Sequence, residues 1–533
     1  GPTVGIDLGT TNSGVAYVDE AGKCISIPLS QDKCVFPSTI TVDKRSKWTV
    51  GAHQPGQQPK SARIAFLTKR VLGRKSNDGR LRSDLEGLPF ELYTTGDLYI
   101  DGESLVDKGP DELVYPEELA GLTLMEAKRV AEEHLNKRIK KCVIAIPAYF
   151  THDQRQATRD AARIAGLEIV RLVNEPSAAA IAYAHKSPLR DGMYLVCDIG
   201  GGTFDVSLLR LENQSTKAFV VKATGGDNCL GGEDFTRVLM DLLYEKTGFS
   251  KDDSDAARKA RAAAEQFKQR LSRDDEVEGD VADVEVTVTK AEFLEKSAPV
   301  FERIKKVIVG TLRERRKFIR EQEARAEGKN VEKVFECVLP VGGASFTPGY
   351  LDAVRAAAGG DVLPPQDVSL LVAQGAAYVA AGRAVLTDVT SRGLGIKLHD
   401  GSMELLIAKN AALPAPSPVK EFQPAEDFLE ATKIELLQGE NTERAEDNIL
   451  LGEFDIGHPK RPSDEVRIMA QAIASVDESI SVAAWLEDGG KKESLTVTAV
   501  PRFDDRELDR HRAKNLTRFN TRSSKRPREG DSS

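Results

Sequence analysis

A ten-residue pattern occurs twice in this chain, and it constrains the fold more than any other feature. Residues 6–15 read IDLGTTNSGV, and residues 197–206 read CDIGGGTFDV. In both copies an apolar run ends at an aspartate, passes through a turn of glycine and threonine, and continues as a second apolar run. This order predicts a strand, a tight turn and an antiparallel partner strand.

The residue types in the two turns predict phosphate binding. Glycine has no Cβ, so the backbone can approach a ligand closely and direct successive N–H groups at phosphate oxygens. Asp7 and Asp198 would then lie beside the phosphates, where hydrated Mg²⁺ normally separates the two negative groups. One such turn is equally compatible with an ordinary hairpin. Two copies favour two similar lobes that close on a nucleotide.

Length and composition are those of a multidomain globular protein. The 533 residues exceed what one hydrophobic core usually serves, so two to four domains are expected. The net charge of −9 gives no indication of a specific nucleic-acid ligand, and no apolar run is long enough to predict a membrane span. The chain starts at Gly1 rather than at a methionine, which is compatible with the removal of a targeting segment. The cysteines and histidines show no metal-ligand spacing, and reduced thiols are expected.

Two regions differ in their predicted secondary structure. Residues 1–382 alternate short apolar strands with helical stretches, as expected for a duplicated α/β domain. The predicted helices cover 125–137, 155–165, 256–271 and 290–327, and the charged end of the last is expected to be solvated. Short apolar runs separated by Gly, Pro and Asp then predict an antiparallel β-sandwich. Its predicted strands cover 403–407, 434–437, 466–473, 479–485 and 494–500.

Several separated motifs resemble those of the seventy-kilodalton heat-shock (Hsp70) chaperone family. The resemblance covers about residues 3–500 and rests on residues 4–14, 68–74, 146–183, 196–208, 231–235 and 341–343. It implies an actin-like (ribonuclease H-like) ATPase domain of two lobes, followed by a β-sandwich that binds peptide. The predicted domains are the ATPase domain at 1–382, a linker at 383–390, the sandwich at 391–500, and a basic, partly disordered tail without a helical lid at 501–533.

The resemblance implies a role for each matching residue of the ATPase site. Asp7, Asp198 and Asp205 would surround the hydrated Mg²⁺, and Glu175 would hold a water molecule. Lys69 would reach the terminal phosphate, where a positive charge stabilises phosphoryl transfer. Taken without the other motifs, Lys69 would more often belong to a solvated helix face. The implied catalytic and phosphate-binding residues are Lys69, Glu175, Asp198, Thr203 and Asp7, with Gly9, Thr10, Thr11, Asn12, Gly200, Gly201 and Gly202.

The adenosine side departs from the family pattern. Glu265, Lys268 and Ser272 match family contacts, and Gly231, Gly232, Gly342 and Gly343 match glycine turns. Gln269 replaces a common arginine, Ser369 replaces an acid, and Ala344-Ser345-Phe346 follows where Ser-Thr-Arg is usual. Phe346 could stack on a purine in place of the arginine. We therefore expect nucleotide binding with altered affinity.

Further matches concern coupling and partners. Pro147 and Arg155 match an allosteric relay, and Arg171 and Asn174 match contacts to a J-domain co-chaperone. The linker retains two large apolar residues, Val385 and Leu386, where four are usual, which predicts weaker coupling. The implied peptide pocket consists of Ile396, Phe422, Thr432 and Ile434, with Thr432 in place of a valine. Without the resemblance, such alternating apolar residues would more often be core than pocket.

Two functional hypotheses follow. The first is an ATP-dependent chaperone that binds ATP or ADP with Mg²⁺, K⁺ being a further candidate cation, and that binds unfolded polypeptide segments. It would work with a J-domain co-chaperone and a nucleotide exchange factor. The alternative is a nucleotide-bound regulatory or ribosome-associated partner with little turnover, and a sugar or acetate kinase is a remote third. The expected location is cytoplasmic, with nuclear access if residues 525–528 act as a signal rather than as a solvated tail.

Overall fold

A computed structural model describes residues 1–29, 33–74, 92–95, 97–100, 114–325, 333–476, 479–489, 492–497 and 503–520. The chain divides into two compact units. Unit 1 comprises Gly1–Phe219, Gly225–Val385 and the C-terminal residues from Pro501, and unit 2 comprises Val220–Thr224 and Leu386–Val500. In the described part of the chain, no helix is both long and apolar enough to span a membrane.

The strands before residue 180 are, in chain order, β1 (Thr3–Asp7), β2 (Asn12–Val18), β3 (Cys24–Ser26), β4 (Val35–Pro37), β5 (Ile40–Val42), β6 (Trp48–Val50), β7 (Arg63–Ala65), β8 (Leu92–Thr95), β9 (Asp97–Ile100), β10 (Lys141–Ile146) and β11 (Glu168–Asn174). The next strands are β12 (Gly192–Ile199), β13 (Phe204–Asn213), β14 (Ala218–Asp227), β15 (Glu276–Val281), β16 (Val284–Thr289), β17 (Cys337–Val341) and β18 (Val385–Thr387). The helices are α1 (Pro116–Leu135), α2 (His152–Ile164), α3 (Glu175–Lys186), α4 (Gly232–Thr247), α5 (Ser254–Leu271), α6 (Lys290–Lys296), α7 (Ala298–Arg325), α8 (Tyr350–Ala358), α9 (Leu371–Ala380) and α10 (Asp505–Asn520).

Both copies of the repeated pattern form the hairpin that the sequence predicts. Strands β1 and β2 pair antiparallel, with Asp7 opposite Gly14, and β12 and β13 pair antiparallel, with Asp198 opposite Asp205. Each first strand also has a parallel neighbour, β10 for β1 and β17 for β12. The two sheets, ordered β11-β10-β1-β2-β3 and β17-β12-β13-β14-β18, therefore repeat one local plan. The apolar strands fit this position because they are buried on both faces.

The helices differ from the sequence prediction at their ends. Helix α1 begins nine residues earlier than predicted, at Pro116, a position that proline favours because it needs no N–H partner there. The predicted helix over 290–327 is two helices that are separated at Ser297. Thr289 caps the first of them, since its hydroxyl accepts a hydrogen bond from the Glu292 amide at 3.2 Å.

The helix-like start of the tail is the helix α10, which packs on α1 and α2 within unit 1. Phe503 and Leu508 are buried with Ile164 in a small apolar cluster. The sequence predicted a tail there and gave no indication of this packing. Residues 521–533, including the proposed signal at 525–528, lie outside the described residues.

Unit 2 contains two antiparallel sheets. Its strands are β19 (Leu394–Lys397), β20 (Met403–Ile407), β21 (Ala415–Pro416), β22 (Lys420–Phe422), β23 (Ala431–Gln438), β24 (Ile449–Gly457), β25 (Ile468–Ala474), β26 (Ile480–Leu486) and β27 (Glu493–Val497). The orders are β20-β19-β23-β24 and β21-β25-β26-β27, with β22 paired to β25. Side chains from both sheets share one apolar core. All five predicted strands overlap an observed one, and residues 498–500 lie outside the described residues.

Candidate functional site

The turns of the two hairpins face each other in unit 1. A Cβ added to Gly201 would collide with the Thr11 hydroxyl, and one added to Gly202 would collide with the Thr10 side chain. The second turn is closed by a hydrogen bond of 3.0 Å from the Gly200 amide to the Thr203 carbonyl. The two predicted phosphate turns thus meet, and their close approach explains the glycines.

A buried ion pair lies in the same unit. Lys69 Nζ is 2.6 Å from Glu175 Oε1, and both side chains are almost fully buried. Lys69 belongs to a short 3₁₀ turn, Thr68–Arg70, and Glu175 is the first residue of helix α3. The tertiary fold therefore joins two predicted catalytic residues that are far apart in the sequence.

Three aspartates beside this ion pair have strongly perturbed titration. Burial, followed by the charge of Glu175, raises the pKa of Asp7 to about 7 and that of Asp205 to about 8. The same two causes, in the same order, raise the pKa of Asp198 well above its ordinary value. Ionising several carboxyls in one buried place is unfavourable unless a cation compensates them. The cluster has the electrostatics of a cation site.

The free oxygens of this cluster fit a hydrated cation. Within the described part of the chain, Asp198 Oδ2 and Asp205 Oδ2 are buried without a hydrogen-bond partner. Among those same residues, no group of three His, Cys, Asp or Glu side chains is placed to hold an ion directly. Unsatisfied carboxylate oxygens suit Mg²⁺, which retains much of its water shell.

Two further glycine segments surround the second hairpin turn. The amides of Gly232 and Glu233 donate to the carbonyls of Gly200 and Gly201, at 2.9 and 2.8 Å. Gly342 has φ +83°, and a Cβ added to it would lie 2.7 Å from Asp198 Oδ1. Gly231 and Gly343 flank these contacts in sequence.

Lys268, which is predicted for the adenosine side, adjoins the segments around the second hairpin turn, because its Nζ donates to the Gly232 carbonyl at 3.2 Å. Lys268 Nζ donates to Glu265 Oε2 at 2.7 Å and to Thr236 Oγ1 at 2.8 Å. Ser272 donates its hydroxyl to the Gln269 carbonyl at 2.6 Å. Phe346 ends the 3₁₀ turn Gly343–Phe346 and is 51% exposed, so its ring is accessible.

Arg70 is a site residue that the sequence analysis missed. Its Nε donates to the Gly202 carbonyl at 3.2 Å, and its Nη2 lies 3.2 Å from Asp234 Oδ2. Through the contact with Gly202, the buried Arg70 ties the Lys69 turn to the second glycine turn. Its position directly after Lys69 was the available signal.

The predicted relay and partner residues are connected. Arg155 Nε donates to the Phe150 carbonyl at 3.2 Å, and its Nη2 donates to Asn174 Oδ1 at 3.3 Å. Pro147 accepts a hydrogen bond from the Phe150 amide at 3.2 Å. Asn174 is buried, so a role in partner binding would act through Arg155 rather than by direct contact, whereas Arg171 is partly exposed.

The linker and pocket residues have different environments. The Val385 amide donates to the Lys217 carbonyl at 3.2 Å while its side chain is 57% exposed, and Leu386 is buried. Ile396 and Ile434 are buried in the core of unit 2, and Phe422 packs against that core. Thr432 Oγ1 lies 2.9 Å from His458 Nε2.

Comparison with known proteins identifies the class. The family model described as Hsp70 protein matches residues 3–530, and the chain therefore belongs to the Hsp70 family, as the motifs predicted. One relative is the "Heat shock 70 kDa protein, mitochondrial" of Pisum sativum, which is 32% identical over 95% of this chain and 75% of that protein. Membership supports a chaperone role. At the level of the family, it also supports ATP hydrolysis and the binding of ATP or ADP together with Mg²⁺.

One prediction is corrected by this comparison. The cytoplasmic location expected from the sequence is wrong, because the similar pea protein is mitochondrial. Composition could not show this, since soluble proteins of both compartments share the same globular balance.

Proposed function

We propose that this protein is an ATP-driven chaperone in which unit 1 is a two-lobed, actin-like ATPase and unit 2 is a β-sandwich that binds extended polypeptide. The observation that carries the proposal is the meeting of two glycine turns with the Lys69–Glu175 ion pair and three buried aspartates. Family membership and the repeated plan of the two sheets support it. The mitochondrial relative supports a mitochondrial location.

The residues of unit 1 would divide the chemistry between them. The turns at residues 9–12 and 200–203 would hold the phosphates with backbone N–H groups, and Asp7, Asp198 and Asp205 would hold the waters of Mg²⁺. Bound Mg²⁺ would neutralise phosphate charge. Lys69 would stabilise charge on the terminal phosphate. Glu175 would orient the attacking water, and its Oε1, 2.6 Å from Lys69 Nζ, would hold the lysine in place.

The coupling residues would carry nucleotide state toward unit 2. The Arg155–Asn174 contact joins the predicted relay to the predicted co-chaperone contact, so a J-domain protein bound near Arg171 would act on the relay. A nucleotide exchange factor would be a second partner. Glu265, Lys268, Ser272 and Phe346 would hold the nucleoside.

In unit 2, an extended polypeptide would be held by main-chain hydrogen bonds and by an apolar pocket. Phe422 and Thr432 remain partly exposed, whereas Ile396 and Ile434 would support them from the core.

Single-turnover hydrolysis of ATP tests the proposal. Lys69→Ala leaves Glu175 buried without its 2.6 Å partner and removes the positioned charge. We expect ATP to remain bound and the hydrolysis rate to fall by about 10²- to 10³-fold, as for other positioned electrostatic groups. Lys60→Ala is the matched control, because the Lys60 side chain is 76% exposed and its ion pair with Asp255 is at the surface.

Addition of an unfolded peptide distinguishes the two functional hypotheses. Turnover that is lost in Lys69→Ala and rises with peptide supports the chaperone. Tight ATP binding with no turnover above Lys69→Ala would reject it in favour of the nucleotide-bound regulatory partner.

A further inference from the structure

Thr432 is the one residue of the predicted peptide pocket whose polar group needs an explanation. It lies on strand β23 two positions before Ile434, so both side chains are on the core face of the sheet. Its partner on strand β24 is Ile456, which is buried in the core of unit 2 together with Ile434. The core face of β23 therefore carries a hydroxyl group at the end of an apolar surface.

His458 continues strand β24 and contacts this hydroxyl. Its amide donates to the Glu430 carbonyl at 2.9 Å, which extends the pairing of the two strands beyond Gly457. The His458 side chain is buried, and its Nε2 lies 2.9 Å from Thr432 Oγ1. Its other ring nitrogen, Nδ1, lies 3.3 Å from the Pro459 carbonyl oxygen.

These two contacts fix the direction of the hydrogen bond between threonine and histidine. A carbonyl oxygen only accepts, so Nδ1 carries the proton of the neutral ring. Nε2 is then the acceptor, and the Thr432 hydroxyl donates to it. Among the described residues, Thr432 Oγ1 has no second hydrogen-bond partner. Toward a bound ligand, Thr432 therefore offers lone pairs and no proton.

The surroundings of Thr432 favour one kind of ligand group. Phe422, which is partly exposed, packs against the same apolar core, where a buried charge would be unfavourable. We propose that His458 and Thr432 select the polypeptide segments that unit 2 binds, by accepting a hydrogen bond from an uncharged side chain that carries an O–H or N–H group. This inference rests on the proposed binding of peptide by unit 2. It goes beyond that function because a purely apolar pocket would disfavour such a side chain.

Three peptides with side chains of equal length test the selection. Each is a fluorescent alanine peptide with terminal arginines for solubility, and the central residue is homoserine, O-methylserine or norvaline. Homoserine can donate a hydrogen bond, the ether oxygen of O-methylserine can only accept, and norvaline has no polar atom. Fluorescence anisotropy gives the Kd of each peptide for the full-length, nucleotide-free protein at about pH 8, where imidazole is neutral.

The wild-type protein should bind the homoserine peptide about tenfold more tightly than the O-methylserine peptide, because the ether oxygen would face another acceptor. A pocket without the acceptor should give the opposite order, since a buried hydroxyl without a partner costs more than an ether. Thr432→Val should therefore reverse the preference. His458→Phe keeps an aromatic ring but frees the Thr432 proton, so the two affinities should become similar.

Thr496→Val is the matched control. Thr496 is exposed on strand β27, in the other sheet of unit 2, so this variant should keep the wild-type preference. The inference is overturned if the wild-type protein binds the norvaline peptide but does not prefer homoserine to O-methylserine, or if Thr432→Val retains that preference. The proposed peptide binding survives either result. Failure of all three peptides to bind would refute the peptide binding and the selection together.

Discussion

Gly342 shows how one residue can be fixed by two independent constraints. Its φ of +83° lies in the left-handed region, and its Cα faces the Ile199 carbonyl and Asp198 Oδ1. Any Cβ would add backbone strain and would displace the end of β12, which carries Asp198. The neighbouring Gly343 has open space within 4 Å of an added Cβ and no positive φ.

These two glycines provide a matched pair of substitutions. Gly342→Ala should lower the free energy of unfolding by at least about 1–3 kcal/mol, because the backbone at φ +83° and ψ 146° lies in a region that only glycine readily adopts, and it should weaken ATP binding because Asp198 moves. Gly343→Ala should leave the midpoint of thermal unfolding nearly unchanged. Thermal unfolding measures the first effect and nucleotide titration the second. Equal midpoints for the two variants would refute this account of the turn.

At the scale of elements, helix α10 depends on a buried charge cluster. Arg518 Nη1 lies 3.0 Å from Glu118 Oε1, and Asn515 Nδ2 donates to the Glu118 carbonyl at 2.7 Å. The Arg518 guanidinium also lies 4.7 Å from the Trp48 ring centroid. Burial acts to raise the pKa of Glu118, but the hydrogen bond with His511 and the charge of Arg518 lower it below its ordinary value. Glu118 is thus a buried anion that is stabilised by Arg518 and His511 of helix α10.

Arg518→Met should therefore destabilise unit 1 strongly. Removing the cation leaves Glu118 charged in a fully buried position, which costs about 3–5 kcal/mol when one partner of a buried ion pair is lost. Arg510→Met is the control on the same helix, because Arg510 is 73% exposed and should change stability by less than about 0.5 kcal/mol. Urea unfolding followed by circular dichroism measures both. If Arg518→Met unfolds like the control, the ion pair does not hold α10 in place.

At the scale of the whole molecule, the chain passes between the two units at Val385 and Leu386. Leu386 is buried although it stands in a short connecting strand, and burying a leucine is worth about 1.5–3 kcal/mol. Under the proposed function, Leu386→Asp should retain basal ATP turnover and peptide binding but lose stimulation of turnover by peptide. Val419→Asp, at an exposed valine of unit 2, is the control and should retain stimulation. Undiminished stimulation in Leu386→Asp would exclude this residue from coupling.

Local patterns in the sequence were sufficient for the hairpins, the strands of unit 2 and the family. Glycine, threonine and alternating apolar residues act over a few positions, so their effect can be read without the fold. Helix ends were less accurate. The start of α1 depends on Pro116 and Glu118, and at Ser297 the amide closes α6 on the Phe293 carbonyl while the Ser297 carbonyl accepts from the Phe301 amide of α7. Family membership, carried by several separated motifs, was confirmed by comparison with known proteins. The predicted roles of the site residues stay predictions.

Contacts between distant segments were decided by the tertiary structure alone. Four contacts join segments that no local pattern relates. They are the Lys69–Glu175 pair, the bond from Arg70 to the second glycine turn, the packing of α10 on Glu118, and the contact of His185 with the Arg383 carbonyl. A charged side chain favours contact with water, because burying an unpaired charge is unfavourable. It is buried only where the fold supplies a partner for it. The sequence therefore determined which chemical groups this Hsp70 family protein possesses, and the tertiary structure determined which of them meet.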